Sequence, residues 1–266
     1  MKYKLIASDM DGTLLNSKSE LSAGNLEAIR KAMKAGIKFA VVSGRSVPAL
    51  KKFDFMEELN TPLITYNGAK IYDDKAEKTL YYKGLEVSDA IKLLNLAEEK
   101  HTTVCAWSDE KYYTNVLNEA SEKYGRASGV EVNVYKDIEA FAQQGVTKII
   151  WNDSPETVER FMKEIENEKF NSITYCRSNP RYLEFMNKKV SKAEALKKLG
   201  EIYNISREEI VAVGDAENDL SMISWAGLGV AMKNADECVK AQSGYITDTN
   251  DNDGVAKLIE YILALD

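Results

Sequence analysis

A single histidine, three cysteines, four prolines and no excess of positive charge narrow this 266-residue chain before any motif is read. With His101 alone there is no room for a Ser-His triad or a His-rich metal site. His101 itself falls at the end of a predicted helix and reads as a surface or dipole-facing residue. Cys105, Cys176 and Cys238 are far apart, odd in number and without a CxxC spacing. That excludes a disulfide framework and fits packing thiols of a cytoplasmic protein. No apolar run approaches the ~20 residues of a membrane helix, and Met1-Lys2 lead straight into a strand with no secretory pattern. The net charge of −7 lacks the positive footprint that nucleic acid or an anionic membrane surface requires. It would also repel an anionic substrate at long range, so a site for one needs its own local positive charge.

What is present is enough apolar material, 44% of residues, for one large core or two modest ones. Near the N-terminus strands and helices alternate. The run Tyr3 to Ala7 predicts a buried strand. Ser22 caps a helix whose apolar face is Leu26, Ile29 and Met33 and which stops at Gly36. IKFAVV is a second strand ending at Ser43-Gly44-Arg45, a helix spans Pro48 to Leu59, and PLITY is a third strand ending at Asn67-Gly68. Such βαβαβ order implies a parallel sheet with right-handed crossovers. The rhythm returns after residue 188: a helix from Ser191 to Tyr203, the strand IVAVGD, a helix from Asn218 to Ala226, the strand GLGVAM, a helix from Ala235 to Ala241, a short strand YIT and a last helix from Gly254. Between them, TVCAWS, YYTN, VNVY, TKIIWN, SITYC and YLEFM come in pairs with helices at Val87–Lys100 and Pro155–Glu168. The expected fold class is therefore α/β, a Rossmann-like parallel-sheet core, 1–83 and 188–266, interrupted by an α+β insert, 84–187.

Four predicted strand ends carry polar groups: Asp9 and Asp11 in DMDGTL, Ser43 with Gly44, Asn67, and Asp215, Asn218 and Asp219 in GDAENDLSM. In a parallel sheet all four lie on one edge, where ligands bind. Two like charges about 4 Å apart repel by ~4 kcal/mol at a protein-surface dielectric, so four clustered carboxylates need protons or a cation. With oxygen donors alone, and no His or Cys nearby, that cation should be hard, and Mg²⁺ fits best. Read singly, DxDG is an ordinary turn, and acidic residues in GDAEND suit a helix N-terminus. DTNDNDG, Asp248 to Gly254, lacks the glycine position of a calcium loop and reads as a turn that caps the last helix. Lys192 falls at the first position of its helix, where a cation opposes the helix dipole by some tenths of a kcal/mol. That placement suggests an electrostatic clamp for phosphate. The Ser43 hydroxyl and the Gly44 N–H also suit phosphate oxygens.

With these residues in order, the chain resembles the haloacid dehalogenase superfamily, most closely the Cof-type phosphatases with a class IIB cap. DMDGTL is similar to its first motif, VVSGR to the second, Lys192 in VSKAEALKKL to the third and GDAENDLSM to the fourth. TYNGA and NDNDGVAKLI also resemble family segments. The chain departs at Ala193, where glycine is usual, and at Lys233 within AMKNA. The resemblance implies phosphoryl transfer from a small phosphorylated metabolite through an aspartyl-phosphate on Asp9, with Asp11 as acid and base. It implies Mg²⁺ held by Asp9, Asp11 (through its carbonyl), Asp215 and Asp219, and phosphate held by the Met10 N–H, Ser43, Gly44, Lys192 and Asn218. The insert would be a cap, with Lys83, Arg177 and Arg181 as candidate contacts to the leaving group. A phosphomutase of the same fold and a catalytically idle phosphometabolite-binding protein are the alternatives.

Overall fold

Apolar runs buried on both faces form the parallel sheet, beginning with β1, Leu5–Asp9, which is buried at every position. The computed structural model describes residues 2–265. A tight turn over Met10–Leu14 leads to α1, Ala23–Lys34, and the Ser22 hydroxyl caps it by accepting the Asn25 N–H. The buried stripe of α1 is Asn25, Ala28, Ile29 and Ala32. Met33, expected on that face, is 39% exposed, because the small alanines let the stripe at i, i+3, i+4 and i+7 run from residue 25. Then come β2 (Lys38–Val42), α2 (Val47–Leu50), α3 (Asp54–Leu59), β3 (Pro62–Thr65), β4 (Lys70–Asp73) and β5 (Lys78–Tyr82). The single helix expected over 48–59 is thus two short ones, broken before an extended Phe53. Strands β4 and β5 carry too few apolar residues to signal themselves; they flank a charged turn and β5 is largely half-exposed or exposed.

The chain continues through α4 (Val87–Glu99), β6 (Thr103–Ser108), β7 (Lys111–Thr114), α5 (Glu119–Ser128), β8 (Val132–Val134), α6 (Ile138–Gln143), β9 (Lys148–Asn152), α7 (Pro155–Ile165), β10 (Ile173–Asn179) and β11 (Tyr182–Asn187). The last stretch is α8 (Lys192–Tyr203), β12 (Ile210–Gly214), α9 (Leu220–Trp225), β13 (Leu228–Ala231), α10 (Glu237–Gln242), β14 (Tyr245–Ile246) and α11 (Gly254–Leu263). Two compact units result: residues 1–82 with 191–266, and residues 83–190.

In the first unit the strand order is β14-β13-β12-β1-β2-β3-β4-β5. Neighbours from β14 to β3 are parallel, and β4 and β5 add antiparallel edges. The chain winds outward from β1 through β2 and β3 on one side and from β12 through β14 on the other. The switch point between β1 and β12 is the crevice where such sheets bind ligands. The run before α11 does not cap its own helix: Asp253 accepts the Ser22 hydroxyl, and Asn25 Oδ1 accepts the Ala256 N–H at 2.8 Å.

The second unit is a sheet of order β10-β11-β9-β6-β7-β8, antiparallel except for β7 with β8. Its apolar face, with Val104, Ile149, Trp151 and Phe185, packs with Leu93 of α4 and Phe161 of α7 in one cluster. Alternation places Cys105, Lys148 and Glu184 on the opposite face, where Tyr124 of α5 meets Trp107 and Tyr182.

Candidate active site

Asp9 closes β1 and Gly214 closes β12, and these strands pair in parallel with Ser8 opposite Val213. Asp9 and Asp215 therefore leave the sheet side by side at the switch point. Asp219, fully buried, ends a single 3₁₀ turn, and its Oδ2 accepts the N–H groups of Asp215 and Ala216 at 3.0 and 3.1 Å. One oxygen from each of Asp9, Asp215 and Asp219 lies within 4.8 Å of the others.

Lys192 enters this group from the first turn of α8, which Ser191 caps by accepting the Glu194 N–H at 3.1 Å. Its Nζ stands 2.5 Å from Asp9 Oδ1 and 2.5 Å from Asp219 Oδ1. The side chain is wholly buried, so its unfavourable position on the dipole is offset by two carboxylates. Two glycines allow the approach. Gly68 has φ +105°, and a Cβ there would sit 2.2 Å from the Ser191 carbonyl oxygen. Gly12 has φ +79°, and a Cβ would meet Asp215 Oδ2 at 2.4 Å.

Three carboxylates face one ammonium, and the imbalance appears in their titration. Burial pushes Asp9 up to about 7, with Lys192 opposing the shift and Asp219 adding to it. Burial likewise lifts Asp215 to about 6, against the Thr13 hydroxyl that donates to its Oδ1 at 2.6 Å. Burial disfavours the Lys192 ammonium, but Asp9 and Asp219 outweigh it and hold its pKa above the usual value. A partly desolvated, all-oxygen donor set with unneutralised negative charge fits a hard divalent cation.

The other expected residues ring this centre. Ser43 is buried at the end of β2, and its hydroxyl accepts the Arg45 N–H at 3.1 Å. Gly44 lies against Asn67, whose Oδ1 would be 3.1 Å from an added Cβ. Asn218 Nδ2 donates to that same Asn67 Oδ1 at 3.3 Å. Met10 buries its side chain in the core and so offers the site only its backbone.

The Asp11 carboxylate is not in the three-carboxylate group. Arg45 holds it with two bonds, Nε to Oδ2 at 2.8 Å and a terminal nitrogen to Oδ1 at 2.7 Å. Arg45, Asn67 and Asn234 are site residues that the motif reading leaves without a role. Asn234 Nδ2 donates to the Gly12 carbonyl at 2.8 Å and steadies the Asp11-Gly12 turn. Of these only Asn67 has a signal, its place at a strand end. Among the other expected contacts, Lys83 pairs with Glu86, and Arg177 with Glu159 and the Pro180 carbonyl.

Comparison with known proteins shows the family and the fold. A family profile described as haloacid dehalogenase-like hydrolase matches residues 6–259. The 5-amino-6-(5-phospho-D-ribitylamino)uracil phosphatase YcsE of Bacillus subtilis is 34% identical over 97% of this chain and 95% of its own. The pyridoxal phosphate phosphatase YbhA of Escherichia coli is 29% identical over 97% of this chain and 98% of its own. A crystal structure of a haloacid dehalogenase-like hydrolase from Bacteroides thetaiotaomicron superposes with a TM-score of 0.87, at 32% identity over 98% of this chain and 100% of that one.

Proposed function

The chain belongs to the haloacid dehalogenase-like hydrolases and is a phosphatase of phosphorylated substrates; from that premise we propose that it is Mg²⁺-dependent and hydrolyses a small phosphorylated metabolite through an aspartyl-phosphate on Asp9. The observation that carries this reading is the carboxylate of Asp9, touched by Lys192 and within 4.8 Å of Asp215 and Asp219 at the ends of adjacent parallel strands.

An Asp9 oxygen attacks phosphorus in line as the bond to the leaving oxygen breaks, and Asp11 gives that oxygen its proton. Asp11 then takes a proton from water, whose oxygen displaces Asp9 and frees phosphate. Splitting one displacement into two lowers each barrier, and a separate carboxylate handles the protons. To act, Asp11 exchanges Arg45 for the leaving oxygen; both partners are exposed, so the exchange costs about 1 kcal/mol or less. Lys192, Ser43, the Gly44 and Met10 N–H groups and Asn218 hold the phosphoryl oxygens. Lys192 also fixes the Asp9 rotamer. Asp9, Asp215, Asp219 and the Asp11 carbonyl would hold Mg²⁺, which when bound supplies the positive charge that Lys192 alone does not provide.

Two relatives named for a ribitylamino-pyrimidine phosphate and for pyridoxal phosphate support a sugar phosphate or phosphorylated cofactor as the substrate class. The test is phosphate release from sugar phosphates, nucleotides and phosphorylated cofactors, with Mg²⁺ and with chelator. Chelator-sensitive release is expected. Isomerisation without release would replace the phosphatase with a mutase.

A further inference from the structure

Asp11 carries the proton steps of the proposed reaction, yet its side chain has no lasting anchor. The carboxylate is half-exposed and rests on Arg45, a partner it releases in order to act. Its aim must therefore come from the backbone of the turn. That backbone is pliant where it matters. Asp11 is extended, with φ −83° and ψ 122°, and the next residue is the left-handed Gly12. Glycine resists rotation about its backbone bonds less than any other residue. Beside the acid–base residue it would let the carboxylate wander unless an outside group held it.

Asn234 supplies that hold. It lies in the loop between β13 and α10, and its Nδ2 donates to the Gly12 carbonyl at 2.8 Å. Its Oδ1 accepts the Asn250 N–H at 3.0 Å. Turning the amide over would set donor against donor and carbonyl against carbonyl, so its orientation is fixed. The loop is in turn tied to the other wall of the crevice. Its Met232 N–H donates to the Gly214 carbonyl at 3.0 Å, and its Asp236 N–H to the Asp215 carbonyl at 2.9 Å. Asn234 thus joins the turn after β1 to the segment that carries Asp215, all within one compact unit. Asn25 and Asn250 hold the carbonyls of Leu14 and Leu15 at 3.3 and 2.9 Å, and both are buried. Asn234 is exposed. An exposed hydrogen bond adds little to stability, so what this one contributes is geometry.

We propose that Asn234 is a positioning residue for the proton transfers of Asp11. By clamping the Gly12 carbonyl it keeps the Asp11 carboxylate on line with the leaving oxygen once Arg45 lets go. This role rests on the phosphatase reading and adds to it a residue outside the expected site.

Two esters test it. The ratio kcat/KM reports the steps up to formation of the aspartyl-phosphate, and in those steps only a poor leaving group needs the Asp11 proton. At saturating Mg²⁺, Asn234→Ala should lower kcat/KM about 30- to 100-fold for the alkyl phosphate that the wild type hydrolyses best. For p-nitrophenyl phosphate the loss should be about threefold or less. Asn234→Leu keeps the bulk but has no hydrogen to give, and it should show the same split. Asn250→Ala leaves the Asn234 side chain on Gly12. It should lower Tm by several degrees and slow both esters alike, by about threefold or less. Equal losses on the two esters in Asn234→Ala, an alkyl phosphate rate within about threefold of wild type, or the same split in Asn250→Ala would overturn the proposal. Wild-type protein that hydrolyses no alkyl phosphate with Mg²⁺ fails the phosphatase reading itself, and the proposal with it.

Discussion

Each of the two units buries a lysine against carboxylates, and the two lysines do different work. In the inserted unit Lys148 meets Glu184 at 3.2 Å, one charge against one, inside the face covered by α5. In the core Lys192 meets Asp9 and Asp219 while Asp215 stands in the same cluster, so negative charge is left over. A balanced buried pair asks for nothing further and reads as structure. An unbalanced cluster at a sheet switch point is destabilising by itself and is relieved by something positive from outside, which is how a site differs from a scaffold.

The largest effect that sharpens this contrast is on turnover. Lys192→Met should lower phosphate release by on the order of a thousandfold, since it removes the cation that contacts both the nucleophile and the transferring group. Lys148→Met should instead act on stability, by about 3–5 kcal/mol in denaturant unfolding, because the buried Glu184 carboxylate loses the ammonium that balances its charge. Adding Glu184→Leu should recover most of that loss. If the double variant is no more stable than Lys148→Met, the pair is not the self-contained unit described here.

Next in size is a pH effect with a definite sign. A carboxylate whose pKa is raised in the folded state holds its proton more tightly there than in the unfolded chain. Its contribution to stability is full below about 3.8 and is lost as the pH rises through about 6 for Asp215 and about 7 for Asp9. Asp215→Asn should therefore leave the metal-free protein unchanged near pH 4 and stabilise it at pH 7.5 by roughly 2 kcal/mol, a rise of several degrees in Tm. Wild-type protein should gain Tm with added Mg²⁺ at pH 7.5, and the variant should not. A variant less stable than wild type at pH 7.5 would break the argument that the cluster carries surplus charge.

Much of this architecture is legible in the chain. The parallel strands announce themselves as apolar runs, and Ser191 marks the start of α8 to the residue. The partners of the motifs are another matter. Arg45 and Asp11 are 34 residues apart, and Asn234 and Gly12 are 222 apart; no local pattern encodes which side chain meets which across a sheet edge. Strands β4 and β5 and helices α5 and α6 were equally illegible, since each is short and half-exposed or flanked by charge, so periodicity of 2 or 3.6 has little to act on. The burial of Lys192 was readable only as an oddity, a cation at the wrong end of a helix.

A smaller effect concerns Arg45. Arg45→Met should change stability by less than about 1 kcal/mol, because the pair with Asp11 is exposed. Its effect on turnover should be modest, about tenfold or less, and confined to the steps in which Asp11 moves a proton. A thousandfold loss would make Arg45 part of the phosphate grip rather than a partner of Asp11.

The most direct test is to find where the phosphoryl group goes. Asp11→Asn should still form the covalent intermediate from an ester whose leaving group needs no proton, such as p-nitrophenyl phosphate, and hydrolyse it slowly, so acid-quenched protein incubated with Mg²⁺ and that ester should carry one phosphoryl group on the peptide containing Asp9. Phosphoryl label on any other residue, or turnover by Asp9→Asn at the wild-type rate, would contradict the account.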